Sequence, residues 1–408
     1  MKVMGNLDLQ RLDSAHGNPI NGAATPQIED QRVQTDVTCV KKVAHLTSVH
    51  AAHDGRIFQK ECRSLSKAGY EVILIAPHSK REIIDGVRIE PVSQSVSRGR
   101  RMTVTMTQVL GKAMKVKADV YHFHDPELLP VGVFLKAAGK RVIYDAHENF
   151  AKDILNKQWM ASGLRRLVSK AGETFEGVSS RLFDAVVAAT PGIADIFPQR
   201  TTVLVQNYPR PQDFIPVTSI PFSLRDNAVF YLGGIEVLKG AREMVAAMAL
   251  VPETLNVKLL LAGTIDRQEL AAELADSPGW QRTRHLGFLD RPAAAKVAGA
   301  ARVGLVLFHP APNYEDSQPN KLFEYMSAGL PLIASHFPHW RQLIDEIGCG
   351  LTVDPLNPQE IARAITWILE NPSQAEAMGR RGQTAVASTY NWKTQERTLL
   401  QLYQRILQ

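Results

Sequence analysis

The sequence predicts an α/β protein made of two Rossmann-like domains whose parallel sheets face a central cleft. Three observations carry this. Short apolar strands alternate with helical patterns, first between residues 43 and 205 and again from residue 228, and such alternation builds parallel sheets covered on both faces. A proline-rich stretch, Asn207 to Pro221 with four prolines, separates the runs as a linker. Polar and charged residues gather where the strands end, and that is where an open α/β sheet binds its ligand. A chain of 408 residues also exceeds one typical core.

The elements follow in order. Residues 1–38 are rich in Asn, Gln, Gly, Pro and Ala without a period and are read as a disordered leader. The first domain spans 39–210. Val43-Ala-His-Leu-Thr-Ser is a buried strand, Arg56 to Ala68 a helix closed by Gly69, and Glu71 to Ala76 the next strand, a βαβ unit. Asp119 to His124 is a strand, and Pro126 opens a helix from a favoured first-turn position. Arg141 to Ala146 and Asp184 to Ala189 are strands, Thr190-Pro191 starts a short helix, and Thr202 to Val205 closes the half. The second domain spans 211–388. It opens with the strand Ala228 to Leu232, the turn Gly233-Gly234 and a helix from Lys239 to Leu250; further strands fall at Val257 to Ala262, His285 to Phe288 and Val303 to Phe308. The tail, 389–408, is an amphipathic helix.

Composition excludes several classes. Hydrophobic residues make up 45% and charged residues 22%, an ordinary globular balance. No apolar run approaches the roughly 20 residues that span a bilayer, and no apolar signal core marks the start. Cys39, Cys62 and Cys349 are widely spaced and odd in number, which argues against a disulfide framework and for a reducing, cytoplasmic setting. The net charge of +6 suits anionic partners. Arg98, Arg100 and Arg101 form a basic knot followed by Lys112, Lys115 and Lys117; Lys157, Arg165, Arg166 and Lys170 lie beside Trp159, Met160, Leu164 and Leu167. Solvated faces would explain these sets; the sharper reading is peripheral contact with an anionic membrane surface. Nothing resembles a nucleic-acid-binding motif.

The most informative stretch is Asn313 to Ser335, N-Y-E-D-S-Q-P-N-K-L-F-E-Y-M-S-A-G-L-P-L-I-A-S. Asp316 and Ser317 are N-cap types, Pro319 suits a first turn, and Gly329-Leu330-Pro331 ends the helix before a buried strand. Leu322, Tyr325, Met326 and Gly329 share one face; Asn320, Glu324 and Ser327 share another. The helix start with Lys321 is a ready anion site, and Glu324, one turn in, is placed to receive sugar hydroxyls. An ordinary helix with that polar face in solvent fits the same spacing. The loop Gly233-Gly234-Ile-Glu-Val-Leu-Lys239-Gly240 lets a phosphate approach backbone, with Lys239 as a point charge, although a plain tight turn explains it as well; it lacks the P-loop ending.

The run S-x-P-x-K-L-F-E-Y-M-x-x-G-x-P, with H-F-H-D-P-E-L, Y-D-A-H-E and H-A-A-H-D-G-R-I in order before it, resembles the family 4 glycosyltransferases, retaining enzymes of GT-B fold that include bacterial polysaccharide-building transferases. The resemblance implies a hexosyltransferase taking a nucleotide-sugar donor, UDP-linked, to a lipid-linked or polysaccharide acceptor at the inner membrane face, with a C-terminal helix crossing back to the first domain. It implies that Lys239 contacts the donor diphosphate, that Glu324 binds the ribose, and that backbone around Asn320 and Lys321 holds phosphates. The first of the family's two glutamates falls on Asp316, implying contact with the donor sugar, and Gly234 stands where the family's arginine usually does, with Lys321 to compensate. His124 takes the place of the active-site histidine. Asp125 and Glu127, His147 and Glu148, and His53, Asp54 and Arg56 are implied to line the cleft on the acceptor side. A metal site competes for the His and carboxylate clusters, but no helical His-x-x-x-His spacing supports one, and the resemblance implies no metal or other cofactor. A non-catalytic sugar-nucleotide scaffold and a nucleotide-sugar epimerase are the alternative functions.

Overall fold

The computed structural model describes residues 40–94, 101–155, 161–214 and 220–408. The expected leader, Cys39, Arg98, Arg100, Lys157, Trp159, Met160 and the middle of the proline-rich linker lie outside the described residues. The first sheet contains β1 (Lys42–Leu46), β2 (Glu71–Pro77), β3 (Glu82–Ile84), β4 (Val87–Val92), β5 (Val120–Phe123), β6 (Arg141–Ala146), β7 (Ala185–Ala188) and β8 (Thr202–Leu204). Their order is β3-β4-β2-β1-β5-β6-β7-β8, and only β3 runs antiparallel to its neighbour. The second sheet contains β9 (Ala228–Leu232), β10 (Lys258–Ala262), β11 (Thr283–Gly287), β12 (Val303–Val306), β13 (Leu332–Ser335) and β14 (Gly350–Val353), ordered β11-β10-β9-β12-β13-β14 and parallel throughout. This is the expected pair of parallel-sheet α/β domains.

Each sheet reverses its strand order at its first strand. β1 pairs with β2 on one side and β5 on the other; β9 pairs with β10 and β12. Helices before and after such a strand leave on opposite faces, so a crevice opens beyond its C-terminal end. The loop after Leu46 and the Gly233-Gly234 loop occupy those two positions.

Strand alternation sorts the first sheet's side chains into two cores. Ala44, Leu46, Tyr121, Phe123, Val142 and Tyr144 pack on one face. Val43, Val72, Val120 and Ile143 pack on the other, beneath Ile57, Phe58, Trp392 and Tyr403. His45, two residues beyond Val43, and His122, two beyond Val120, share that second face.

Several local expectations are corrected. Arg56 to Ala68 is not one regular helix: Ile57–Cys62 is a wider turn, with Glu61 N bonded to Arg56 O, before the short helix Arg63–Lys67. The N-cap of Asn320–Ser327 is Pro319, with no side-chain cap, rather than Asp316 or Ser317. Its supposed polar face is not solvated, because Glu324 and Ser327 are buried. The linker is partly core, since Tyr208 and Phe214 are buried. The β3–β4 hairpin turns on Asp85-Gly86, both with positive φ (51° and 77°), the Asp-Gly signal of a two-residue turn.

The C-terminal helix, Trp392–Leu407, packs on the first sheet although it follows the second. Asn391 caps it, and Trp392 Nε1 donates to Ser64 Oγ at 2.9 Å. Trp392→Ala should remove a buried anchor and cost about 3–5 kcal/mol, read as a lower urea midpoint. An unchanged midpoint would show that the helix is not fastened there.

Candidate active site

The crevices of the two sheets join in one cavity of about 980 Å3. On the first-sheet side its chemistry is centred on Asp145 at the end of β6, fully buried. Arg56 reaches it bidentately, Nη2 to Oδ1 at 2.8 Å and Nε to Oδ2 at 3.1 Å, and also donates to Val205 O. His124 Nδ1 lies 3.0 Å and His147 Nε2 2.8 Å from Asp145 Oδ2. Burial alone would raise this carboxyl, but the Arg56 charge, then His147 and the hydrogen bonds, hold it well below the usual range. His124, the expected active-site histidine, touches the cavity but is only 1% exposed. Its burial lowers its pKa despite Asp145, so it sits as a neutral imidazole; His147 is the more open of the two.

Asp125 is an organiser rather than a free acid. It accepts from Ser48 N, Val49 N and Thr47 Oγ1, the last at 2.8 Å, and lies 2.9 Å from His50 Nδ1. These contacts overcome burial and hold it well below the carboxylate range. Through it the β1 loop is shaped to present His50, which lines the cavity. Burial lowers the His50 pKa, but Asp125 more than offsets that and raises it. Asp54 caps the following turn, accepting from Arg56 N at 2.7 Å and Ile57 N at 2.8 Å. Glu127 and Glu148 also line the cavity.

His53 is corrected. It is exposed, does not line the cavity, and stands edge-on to Phe58 and His78. The cavity-facing histidine of that loop is His50, three residues earlier and nearer the strand end, which is the signal that distinguishes the two.

On the second-sheet side the helix Asn320–Ser327 begins at the cavity without a side-chain cap, leaving its first amides toward any anion there. Lys321 runs back under the Gly233 loop. Its Nζ donates to Tyr231 Oη at 3.0 Å and lies 4.1 Å and 5.2 Å from the Tyr231 and Phe308 ring centres. Among the described residues no carboxylate lies within ion-pair distance of it. Burial, then the Lys239 charge, push it down to about 7. Gly233 sits at φ 130°, a conformation that favours glycine, and a Cβ there would meet the end of the Lys321 side chain, 2.7 Å from Cε. Gly234 leaves space filled by the Lys239–Glu236 pair, at 2.6 Å.

Glu324 is buried 3.5 Å from Arg291 Nη2. Burial raises its pKa, opposed by Arg291, Lys60 and Lys321. Asp316 is half-exposed and ion-paired with Lys152 of the opposite wall, and Gln206 Nε2 donates to Gln318 nearby. Lys60, Lys152 and Arg291 were not expected at the site. They come from segments remote in sequence, and no local pattern marks them.

Comparison with known proteins matches this architecture. Residues 55–203 match the family described as Glycosyltransferase Family 4, and residues 226–371 match Glycosyl transferases group 1. The chain is 25% identical over 364 residues to the phosphatidyl-myo-inositol mannosyltransferase of Mycolicibacterium smegmatis, covering 84% of this chain and 87% of that one. It is 22% identical over 284 residues to the D-rhamnosyltransferase WbpZ of Pseudomonas aeruginosa, covering 67% and 70%. Among solved structures, sucrose-phosphate synthase of Thermosynechococcus elongatus superposes with a TM-score of 0.73 at 20% identity, covering 90% of this chain and 99% of that one. Anabaena Alr3699/HepE in complex with UDP-glucose gives 0.68 at 14%, covering 89% and 99%. These names lend nothing to the scaffold or epimerase readings. Two family matches, one on each sheet and together flanking the cleft, show that the chain belongs to the family 4 glycosyltransferases, enzymes of the GT-B fold.

Proposed function

We propose that this glycosyltransferase moves a hexose, with retention, from a UDP-linked donor to a lipid-linked or polysaccharide acceptor in cell-surface glycan synthesis. The observation that carries a nucleoside-diphosphate donor is Lys321: a half-buried lysine beside an uncapped helix start, without a carboxylate partner among the described residues. A diphosphate seated there meets helix amides, Lys321 and Lys239 together. Glu324, one turn deeper, takes the ribose hydroxyls. The UDP and UDP-glucose bound by Anabaena Alr3699/HepE support uridine as the base.

In the reaction the bond from sugar C1 to the phosphate oxygen breaks, and a bond from C1 to the acceptor oxygen forms on the same face. The acceptor proton passes to the departing diphosphate. Lys239, Lys321 and the helix amides stabilise the charge that builds on it, so the transfer needs no metal and no protein nucleophile. Asp316 contacts the donor sugar once Lys152 releases it. His124 and His147, oriented by Asp145, face the sugar ring from the other wall.

A membrane-facing acceptor is favoured by the helix Ser162–Ser180. Its buried residues are Ser169, Glu176, Ser179 and Ser180, while Leu164, Leu167, Phe175 and Val178 are 46–68% exposed beside Arg165, Arg166 and Lys170. Such a face suits insertion among anionic headgroups. No helix among the described residues is long and apolar enough to cross a membrane.

Three measurements test this reading. At 100 times Kd, UDP should stabilise the protein by about 2.7 kcal/mol, a rise of several degrees in Tm, with smaller rises for GDP and ADP. Glu324→Gln should shrink the rise with all three diphosphates, which share the ribose, while keeping the ligand-free Tm; no rise with any diphosphate would overturn a nucleotide donor.

Lys321, pushed down to about 7 in the free protein, must be recharged by a bound diphosphate. At pH 8, binding should take up close to one proton, and affinity should fall as pH rises above 7. Calorimetry in buffers of different ionisation enthalpy reads this, and Lys321→Met should abolish the uptake. Uptake that persists in the variant would assign it elsewhere.

The protein should float with vesicles of anionic lipid and not with neutral ones, and Leu167→Glu with Phe175→Glu should abolish flotation. Unchanged flotation would remove this helix from the interface.

A further inference from the structure

Beneath the cavity floor, the face of the first sheet that should be wholly apolar carries three histidines. His45 on β1 is the register partner of His122 on β5, and His124 lies two residues further on that same face. Glu61, from the turn that follows β1, points at them from above. All four are buried, with exposures of 0–1%, and one donor atom from each lies within 4.8 Å of every other.

The outer nitrogen of each histidine is already held. His122 Nδ1 is 2.8 Å and His45 Nε2 3.2 Å from Tyr403 Oη on the C-terminal helix, and His124 Nδ1 is 3.0 Å from Asp145 Oδ2. The nitrogens left over are His45 Nδ1, His122 Nε2 and His124 Nε2. A direct contact of 2.9 Å accounts for His45 and His124. It leaves His122 Nε2 and both Glu61 oxygens without a hydrogen-bond partner; Glu61 Oε1 has only an ion pair with Arg56 at 3.0 Å. Glu61 Oε2 faces His45 Nδ1 at 4.0 Å. Leaving such atoms buried and unpaired is costly.

We propose that His45, His122, His124 and Glu61 form a buried structural site for a divalent transition-metal ion, with zinc as the best fit. Three imidazoles and one carboxylate are a zinc donor set and exclude calcium and magnesium, which take oxygen. Metal–nitrogen bonds of about 2.0–2.1 Å place tetrahedral donors about 3.4 Å apart, inside the observed range. The Tyr403 and Asp145 contacts are the outer hydrogen bonds that ligating histidines ordinarily make. The ion would join β1, β5 and the Ile57–Cys62 turn, with the C-terminal helix holding two ligands from behind. His124 belongs to both the ion's ligands and the cleft lining, so the ion would fix that ring from behind while no bond change of the transfer is routed through it.

The full-length protein grown with zinc should carry one equivalent per chain by mass spectrometry, and stripping it with a chelator should lower Tm. Cobalt(II) added to the stripped protein should give the visible bands of a tetrahedral site. His122→Ala should lose the metal. Glu61→Gln, which keeps the shape and so the fold, should weaken zinc binding at least tenfold. His78→Ala, in the separate and more open His53, His78 and Glu82 group, should retain it. Substoichiometric zinc with no cobalt bands, metal retained in Glu61→Gln at unchanged affinity, or metal lost in His78→Ala would each overturn the proposal.

Discussion

Asp145 is the buried charge around which the cleft is arranged. A carboxylate with no exposure is tolerable only if partners replace its lost hydration, and here the partners come from three chain segments: Arg56 after β1, His124 after β5 and His147 after β6. Satisfying one charge therefore fixes the relative positions of the loops that form the first-sheet wall of the cavity. Asp125 repeats this logic nearby, tying Thr47, Ser48 and His50 to β5. Several of the side chains facing the cavity, His50, His124 and His147 among them, are held by these anchors.

The opposite wall is built with contrary electrostatics. Lys321 and Lys239 lie close enough to repel, and Lys321 is further penalised by burial. An arrangement unfavourable when empty and relieved by a polyanion spends stability on ligand selectivity. The aromatic rings under Lys321 soften that cost, since a cation over Tyr231 and Phe308 recovers some of the lost solvation. Gly233 belongs to the same device by leaving the lysine room to lie flat.

Much of the fold was legible because parallel strands read as continuous apolar runs and most of their boundaries carry Gly, Pro or Asx punctuation. The second half of the cleft was legible through one motif, the run from Ser317 to Pro331. What escaped notice depended on pairing at a distance. Spacing alone leaves Glu324 open between a ligand-facing and a solvated helix residue, because it reports which residues share a face and not whether another segment covers it. Lys60 and Arg291 meet near Glu324 only after folding. His53 and His50 differ by three positions in one loop; His50 lies nearer the strand end, and its contact with Asp125 holds it inward. The β3–β4 hairpin, by contrast, carries its own local signal in Asp85-Gly86.

The chain passes between the halves twice, near Tyr208 on the way out and near Tyr390 on the way back, and the two passages are stitched together. Trp392 N donates to Pro209 O at 2.9 Å, Gln395 Oε1 accepts from Gln206 N at 2.8 Å, and the Tyr208 and Tyr390 rings meet edge to face at 5.4 Å. Two separated tethers would block rotation between the halves, and a single loose tether would permit sliding. A pair fused side by side behaves as the spine of a book: the halves can turn about that line but cannot shear past each other. The fore-edge opposite that spine is where Lys152 meets Asp316 across the cavity, so a turn about the spine would change this contact most.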